Sequence, residues 1–245
     1  ALFFAKLSSA AYYTPKAFVH FLRKEKLEDH YTYEFIDRNG SQAYVLWDDE
    51  NFIIAFRGTQ PKEIEDVFND MKFWKRPAWE GGKVHTGFAT YVDEIWDQIK
   101  QLLFKHGVRP NGKTKRVYTT GHSLGAAAAT IAASRLGTFA RGCFTFGSPR
   151  MGNSEFVKEF NTFKINSKRI THYYDVVPHL PQQSFGYQHI PNEIWYNEPS
   201  SNYVICNDTF QEDNNCSNSC SPIHCTSIDD HMKYLNVSMG ESGDC

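Results

Sequence analysis

The residues best suited to chemistry lie in the stretch TGHSLGAA, where two glycines bracket a serine. The pattern G-x-S-x-G reads Gly121-His122-Ser123-Leu124-Gly125. A β-type run precedes it and an alanine-rich segment follows it, which predicts a strand, a sharp turn and a helix. This context is typical of a nucleophile elbow, in which the serine hydroxyl projects from the edge of a sheet. The glycines leave room for the turn, and the helix directs its N–H groups towards the serine.

A serine nucleophile needs a general base, and the base needs an orienting carboxylate. In sheets with such an elbow, the chain order is serine, acid, histidine. Among the acids after Ser123, Asp175 directly follows a convincing strand, RITHYY, where the loops of a parallel sheet form ligand sites. By contrast, Glu155 and Glu159 fit an exposed helix face, and residues 208–213 fit a polar surface loop. We therefore predict Asp175 as the orienting acid.

The base has several candidates among the histidines that follow the serine. We predict His231, in the segment DDHMKYL, a polar loop that enters a short apolar helix, with His189 and His224 as alternatives. Two further histidines share the strand or the loop of the acid and lie earlier than a third member should: His172 and His179. His122, beside the serine, is predicted to have a structural role.

The tetrahedral intermediate of acyl transfer needs donors for its oxyanion. The backbone N–H of Leu124, the residue after the nucleophile, supplies one. The second should come from the end of an early strand, and the run FIIAF ends in Arg57-Gly58-Thr59. We predict that Thr59 contributes its backbone N–H and its hydroxyl.

These residues need a scaffold, and the remaining pattern indicates one. Strand-like and helix-like segments alternate from residue 52 to residue 175, which predicts an α/β protein with a mostly parallel sheet and helices on both faces. The 245 residues show no linker or internal repeat, so we expect one domain, residues 1–245. The predicted elements are strands at 43–47, 52–56 and 116–120, helices at 88–106 and 123–136, and the segments GCFTFGS (strand), NSEFVKEFN (helix) and KRITHYYD (strand).

Charge and composition exclude several classes of function. The formal net charge of −2 gives no reason to expect nucleic acid or an anionic membrane as partner. There is no apolar run of eighteen residues, so we expect no transmembrane segment. The start, ALFFAKLSSAAYYTP, is interpreted as the N-terminal helix of a mature chain whose signal peptide has been removed. We expect a monomer that needs no cofactor and no metal.

The cysteines favour an oxidising compartment. Five of the six lie in the last forty residues, in Ser- and Asn-rich surroundings, which favours disulfides over a zinc site at Cys216, Cys220 and Cys225. Cys143, in an apolar strand, is expected to be a free buried thiol, and one of the other five then lacks an obvious partner. Four N-glycosylation sequons also favour secretion: Asn39, Asn207, Asn215 and Asn236.

The motifs AFRGT, VHTGF, TGHSLGAA, FTFGSPRMGN and YYDVVPHLP occur in an order and at spacings that resemble the fungal-type class 3 lipases, a family that includes feruloyl esterases. The resemblance covers nearly the whole chain. It implies an α/β-hydrolase fold with Ser123, Asp175 and His231 as triad and with Thr59 and Leu124 as oxyanion donors. It also implies that Asp70 hydrogen-bonds the Thr59 side chain. Members often tie a C-terminal cysteine to one near the N-terminus, but here no cysteine precedes Cys143.

In that family the segment after the oxyanion strand is a lid, here residues 60–80. Its apolar residues recur at helical spacing: Ile64, Val67, Phe68 and Met71. The opposite face is charged or polar. Ordinary amphipathic packing explains both faces, and so does a helical lid that covers the site and turns its apolar face to a lipid–water interface when open.

The leading hypothesis is a secreted serine carboxylic-ester hydrolase, a triacylglycerol lipase, that acts on lipid or other ester substrates through an acyl-enzyme. Feruloyl esterase and phospholipase A1 are the alternatives on the same scaffold. A different class of protein, a non-catalytic lipid or carbohydrate binder on a hydrolase scaffold, is opposed by the complete set of triad and oxyanion residues.

Overall fold

The computed structural model of the protein describes residues 1–64, 66, 72–79, 81–107, 114–197, 202–207, 212–220 and 225–243. Several residues singled out above lie outside these ranges: Val67, Phe68, Asp70, Met71, His224 and Cys245. Within the described ranges, none of the helices combines the length and the apolar character that crossing a membrane requires.

Eight strands form one sheet in the order β1-β2-β3-β6-β7-β8-β9-β10. The five strands from β3 to β9 in this order are parallel, and antiparallel pairs flank them at both edges. Two short hairpins, β4 with β5 and β11 with β12, stand apart from it. The strands are β1 Thr32–Arg38, β2 Ser41–Trp47, β3 Asn51–Phe56, β4 Lys75–Pro77, β5 Lys83–His85, β6 Arg116–His122, β7 Ala140–Phe146, β8 Asn166–His172, β9 Glu193–Tyr196, β10 Tyr203–Ile205, β11 Lys233–Tyr234 and β12 Val237–Ser238.

Helices cover both faces of the sheet. They are α1 Leu2–Ala10, α2 Pro15–Lys24, α3 Thr86–Leu102, α4 Leu124–Leu136, α5 Ser154–Thr162 and α6 Ile228–His231. Alternate residues of β2 and β3 face opposite ways, as the pleat of a strand requires. Tyr44 and Ile53 pack with the first two helices, whereas Val45 and Ile54 pack in the larger core with α3, α4 and α5. The predicted α/β fold, a mostly parallel sheet between helices, is therefore confirmed.

Most of the predicted element boundaries shift by at most two residues, and two of them shift further. The helix predicted to run through residue 106 ends as a regular helix at Leu102 and continues as a π-helical turn, Leu103–Gly107. The strand predicted to include Asp175 ends at His172. Asp175 instead lies in the loop beyond it, so that its side chain is free to face a neighbouring loop rather than a sheet surface.

The register of the parallel strands brings their carboxyl ends to one edge. Phe56 pairs with Gly121, His122 pairs with Phe146, and Phe146 pairs with Ile170. Consequently the loops that follow β3, β6, β7 and β8 emerge side by side. They carry Thr59, Ser123, Gly147 and Asp175, respectively.

The cysteine-rich segment contains two disulfides, Cys206–Cys216 and Cys220–Cys225. The prediction that these cysteines form disulfides rather than a zinc site is therefore confirmed. Cys143 is a free, buried thiol, and burial raises its pKa to about 11.

The N-terminus of α5 offers a test of local folding. The Asn153 side chain accepts hydrogen bonds from the N–H of Phe156 (3.2 Å) and of Lys83 (2.8 Å), so it caps α5 and ties the β5 hairpin to it. We expect Asn153→Ala to lower the free energy of unfolding by about 1–2 kcal/mol in urea denaturation. Asn153→Asp, which keeps the acceptor, should lose much less; an equal loss in both variants would contradict this account.

Candidate active site

The turn at Ser123 has the backbone of a nucleophile elbow. Ser123 has φ 59° and ψ −128°, a conformation that side-chain-bearing residues rarely adopt, and α4 begins directly after it. A Cβ on Gly121 would lie 2.2 Å from the carbonyl oxygen of Gly125, and a Cβ on Gly125 would lie 2.3 Å from that of Phe56. Both glycines are therefore required for α4 to start this close to β3 and β6.

Asp175 and His231 lie in contact at the same edge. The Nδ1 of His231 is 2.9 Å from Oδ2 of Asp175, and both side chains are almost fully buried. The hydroxyl of Tyr234 donates to the same carboxylate oxygen, and the N–H of Val177 donates to the other at 2.8 Å. With its carboxylate fixed from three sides, Asp175 holds the His231 ring with Nε2 free to act as acceptor.

Ser123 and His231 complete the buried group. Both residues are 0% exposed. The Oγ of Ser123 and the Nε2 of His231 have no hydrogen-bond partner among the described residues, which is unusual for buried polar atoms. The two atoms that acyl transfer would use therefore have no competing hydrogen bond to a described residue.

His122 links the elbow to the second half of the site. Its Nδ1 lies 2.9 Å from the Tyr12 hydroxyl, and its Nε2 lies 2.8 Å from the backbone carbonyl of His231. Burial, together with the neighbouring His231, holds the pKa of His122 well below its ordinary value. A neutral ring that accepts from Tyr12 and donates to His231 satisfies both bonds, and it fixes the backbone that carries the predicted base.

One predicted oxyanion donor, Leu124, adjoins the serine, and the other, Thr59, follows β3 at the same edge of the sheet. The N–H of Leu124 belongs to the first turn of α4, where helix N–H groups have no partner within the helix. Thr59 follows β3 at 8% exposure, and its Oγ1 has no hydrogen-bond partner among the described residues. The expected partner of that hydroxyl, Asp70, lies outside the described residues.

Three residues of this site were not found from sequence. Tyr234 lies three residues after His231, where a short apolar helix was predicted. That prediction was wrong: helix α6 ends at His231, and Tyr234 belongs to strand β11, which pairs with β12. Gly147 has φ +56°, and a Cβ there would lie 2.9 Å from both Asp175 Oδ2 and the His231 ring. Tyr12 approaches from the turn between α1 and α2. The sequence did contain a signal for Gly147, which is a glycine directly after an apolar strand. Nothing in the sequence pattern marked Tyr12 or Tyr234 as part of the site.

The alternative bases lie elsewhere. His189 is buried with its Nε2 2.7 Å from the carbonyl of Pro178, and His172 Nδ1 is 2.9 Å from the carbonyl of Asp230. The ring of neither histidine is bonded to the Asp175 carboxylate. The prediction of a surface loop at residues 208–213 was wrong for Glu212, which is only 8% exposed and pairs with Arg150.

An apolar crevice of about 490 Å³ opens beside the serine. Leu124, which follows Ser123, forms part of its wall, and the other walls come from the segment before β4 and from the start of α3: Lys72, Trp74, His85, Thr86, Gly87, Phe88 and Tyr91. The mostly apolar lining of the crevice is of the kind that binds a hydrocarbon chain.

The sheet order, the elbow and the loops that follow β3, β6 and β8 define the α/β-hydrolase fold. The family model described as Lipase (class 3) matches residues 53–185. The chain belongs to this family.

Similar proteins agree with that assignment. A lipase of Rhizopus niveus is 35% identical over 219 residues, which are 83% of this chain and 52% of the relative. A secreted mono- and diacylglycerol lipase 1 of Fusarium solani is 33% identical over 165 residues, covering 64% of this chain and 48% of the relative. The chain thus spans about half the length of the curated relatives it matches.

Solved structures extend the similarity over the full chain. The structure of a triacylglyceride lipase of Rhizomucor miehei superposes with a TM-score of 0.82 at 26% identity. The match covers 98% of this chain and 94% of that one.

The steric role of the elbow glycines can be measured. We expect Gly125→Ala to lower the free energy of unfolding by about 3 kcal/mol, because the new Cβ would overlap the Phe56 carbonyl. The control is Gly81→Ala, where the nearest atoms to a Cβ are 3.9 Å away. Urea denaturation of the two variants should differ clearly; equal stability would show that α4 does not need this close approach.

The burial of His85 in the crevice wall predicts that the stability of the protein depends on pH. Burial lowers the pKa of His85 to about 4, below that of an imidazole in an unfolded chain, about 6.5. The unfolded chain therefore takes up this proton first, and stability falls as the pH drops from about 6.5 towards 4. His85→Asn keeps an acceptor for the Phe88 N–H and should remove about one proton from the slope of unfolding free energy against pH in this window.

The control for this slope is His20→Asn, which removes an exposed imidazole from α2. An unchanged slope in His85→Asn, measured by urea denaturation at several pH values, would show that His85 takes up its proton as readily in the folded protein as in the unfolded chain.

Proposed function

We propose that this protein is a serine carboxylic-ester hydrolase that cleaves acylglycerols through an acyl-enzyme. The observation that carries the proposal is the elbow at Ser123, with its buried uncommitted hydroxyl, beside the His231–Asp175 pair and an apolar crevice. Relatives named lipase and mono- and diacylglycerol lipase support acylglycerols as the substrate class.

The reaction assigns one role to each residue. Ser123 Oγ attacks the ester carbonyl carbon while His231 Nε2 accepts the hydroxyl proton, a bond that forms when the substrate brings the two atoms into reach. Asp175 holds the His231 ring and stabilises the imidazolium that forms. The N–H groups of Leu124 and Thr59, with the Thr59 hydroxyl, stabilise the oxyanion.

Collapse of the tetrahedral intermediate breaks the bond to the alcohol oxygen, and the proton on His231 passes to the departing glyceride. Water then attacks the acyl-enzyme, again with His231 as base, and releases the fatty acid and free Ser123. No cofactor or metal takes part in this sequence.

A lid over residues 60–80 fits the buried state of the site. Ile64 is fully buried and packs against Val177, two residues after Asp175, in a cluster with Ile228 and Met232. This contact supports a lid that begins against the loops of the predicted acid and base. Movement of the segment would expose Ser123, and the exposed Trp74 and Trp79 lie within the segment. The lid is therefore proposed to open at the lipid–water interface. The chain is proposed to act as a monomer.

We also propose that the protein is secreted. Two disulfides lie in its last forty residues, and the side chains at the four sequons are exposed. A relative bears the word secreted in its name.

The test is hydrolysis by the wild type and by Ser123→Ala. The wild type should cleave p-nitrophenyl butyrate, and its rate on tributyrin should rise once the substrate forms an emulsion. Ser123→Ala should lose roughly 10⁴–10⁶-fold in kcat. Ser134→Ala, which removes a buried hydroxyl from α4 away from the elbow, is the matched control and should retain activity.

The same enzyme preparations should be compared on triolein, diolein, monoolein, methyl ferulate and phosphatidylcholine. Preference for the glycerides supports the proposal. A Ser123→Ala variant as active as Ser134→Ala would overturn the proposed nucleophile, and preference for methyl ferulate or phosphatidylcholine would replace the substrate class.

A further inference from the structure

Arg150 is a buried cation whose guanidinium is fully engaged. It is only 3% exposed. Its Nε and Nη2 each donate to one carboxylate oxygen of Glu212 at 2.7 Å, and its Nη1 donates to the carbonyls of His179 (2.7 Å) and Pro181 (3.1 Å). This fork geometry is specific to arginine, since a lysine ammonium cannot present parallel donors.

The carbonyls that Arg150 binds belong to the loop that follows Asp175. In addition, the Arg150 backbone N–H donates to the carbonyl of Leu180 at 2.7 Å, and His189 Nε2 lies 2.7 Å from that of Pro178. Four consecutive carbonyls, those of residues 178–181, are thus bound by two residues from outside the loop. At the other end of the loop, the Val177 N–H donates to Asp175 itself.

Glu212 is itself held in place by contacts other than Arg150. It accepts a further hydrogen bond from the His189 N–H at 3.1 Å. Burial alone would raise the pKa of Glu212, but His189 and Arg150 hold it well below the ordinary value, so the carboxylate is charged. The Cys206–Cys216 disulfide closes the chain around Glu212, and Asp213 bonds the backbone of Asn207 and Asn215 within that closed segment.

We propose that Arg150 and Glu212 are positioning residues for Asp175, and that the Cys206–Cys216 disulfide keeps Glu212 in place for this role. The inference rests on the proposed function, because it concerns the carboxylate that orients His231. The path runs from the disulfide to Glu212, to Arg150, to the carbonyls of residues 178–181 and back to Asp175.

The physical reason is the cost of an unpaired buried charge. If Glu212 loses its charge, the Arg150 guanidinium remains buried without a counter-ion, which proteins avoid by rearrangement. The loop carbonyls would then lose their fixed donor, and a shift of about 1 Å in a catalytic group costs on the order of 10²-fold in rate. Neither Arg150 nor Glu212 lines the crevice, so substrate binding should be unaffected.

The experiment uses p-nitrophenyl butyrate below its solubility limit, at a temperature where circular dichroism shows every variant folded. Glu212→Gln is expected to lower kcat about 10–100-fold with KM unchanged. The double replacement Cys206→Ala with Cys216→Ala is expected to lower kcat about 10-fold, also at constant KM. Glu212→Asp keeps the charge and should recover part of the loss.

The matched control is Glu193→Gln. Glu193 is 1% exposed and paired with Arg169, so this change also leaves a buried arginine without its carboxylate. Arg169 lies on β8 and not on the loop of residues 178–181. Glu193 also accepts hydrogen bonds from the hydroxyls of Thr171 and Ser217 through its other carboxylate oxygen, and the amide oxygen of Gln can keep both. We expect this variant to lose stability but to keep kcat within about 2-fold of the wild type.

Combining Glu212→Gln with the cysteine replacements tests the path itself. If both act through the Arg150 contacts, the combined variant should be no slower than Glu212→Gln alone. Multiplied losses, a kcat of Glu212→Gln equal to that of Glu193→Gln, or a loss confined to KM would each overturn the inference. If Glu212→Gln does not fold, Glu212→Asp decides: a lower kcat at constant KM supports the inference, and wild-type kcat overturns it.

Failure of the proposed function would look different. In that case the wild type itself would not hydrolyse the ester, or Ser123→Ala would be as active as the wild type, before any positioning variant is compared.

Discussion

The close approach of helix α4 to strands β3 and β6 is the constraint on which the site depends. It is possible only because Gly121 and Gly125 carry no Cβ, and it forces Ser123 into a backbone conformation that an isolated chain would avoid. In return, the hydroxyl stands at the carboxyl edge of the sheet, and the first N–H groups of α4 lie beside it. The strain is local, and the packing of the alanine-rich helix in the core maintains it.

The acid and the base are positioned by a second set of contacts, which is polar and buried. Asp175 receives hydrogen bonds from His231, Tyr234 and Val177, and it is 2% exposed. A charge so deeply buried persists only where donors surround it. The neutral His122 adds a bond to the backbone of His231, so the elbow and the base are joined directly as well as through the substrate.

The loop after Asp175 shows how the two sets are combined in one molecule. Arg150 and His189 bind its carbonyls, and Ile64, at the start of the proposed lid, packs against it. The loop is therefore in contact both with a buried ion pair and with the segment proposed as a lid. Under the proposed function, this arrangement would keep the predicted triad ordered while the lid moves.

The sequence alone determined the α/β class, the elbow and the acid, because each rests on local rules: strand and helix periodicity, the steric need for glycine, and a carboxylate directly after a strand. It left three histidines open for the base, and only the tertiary structure brings His231 to Asp175. Tyr12 and Tyr234 likewise carried no sequence signal, and Glu212 was wrongly predicted to lie on the surface. The physical reason is that their partners are distant in sequence, as with Arg150 and Glu212, which are 62 residues apart. No periodicity encodes such contacts; folding alone decides them.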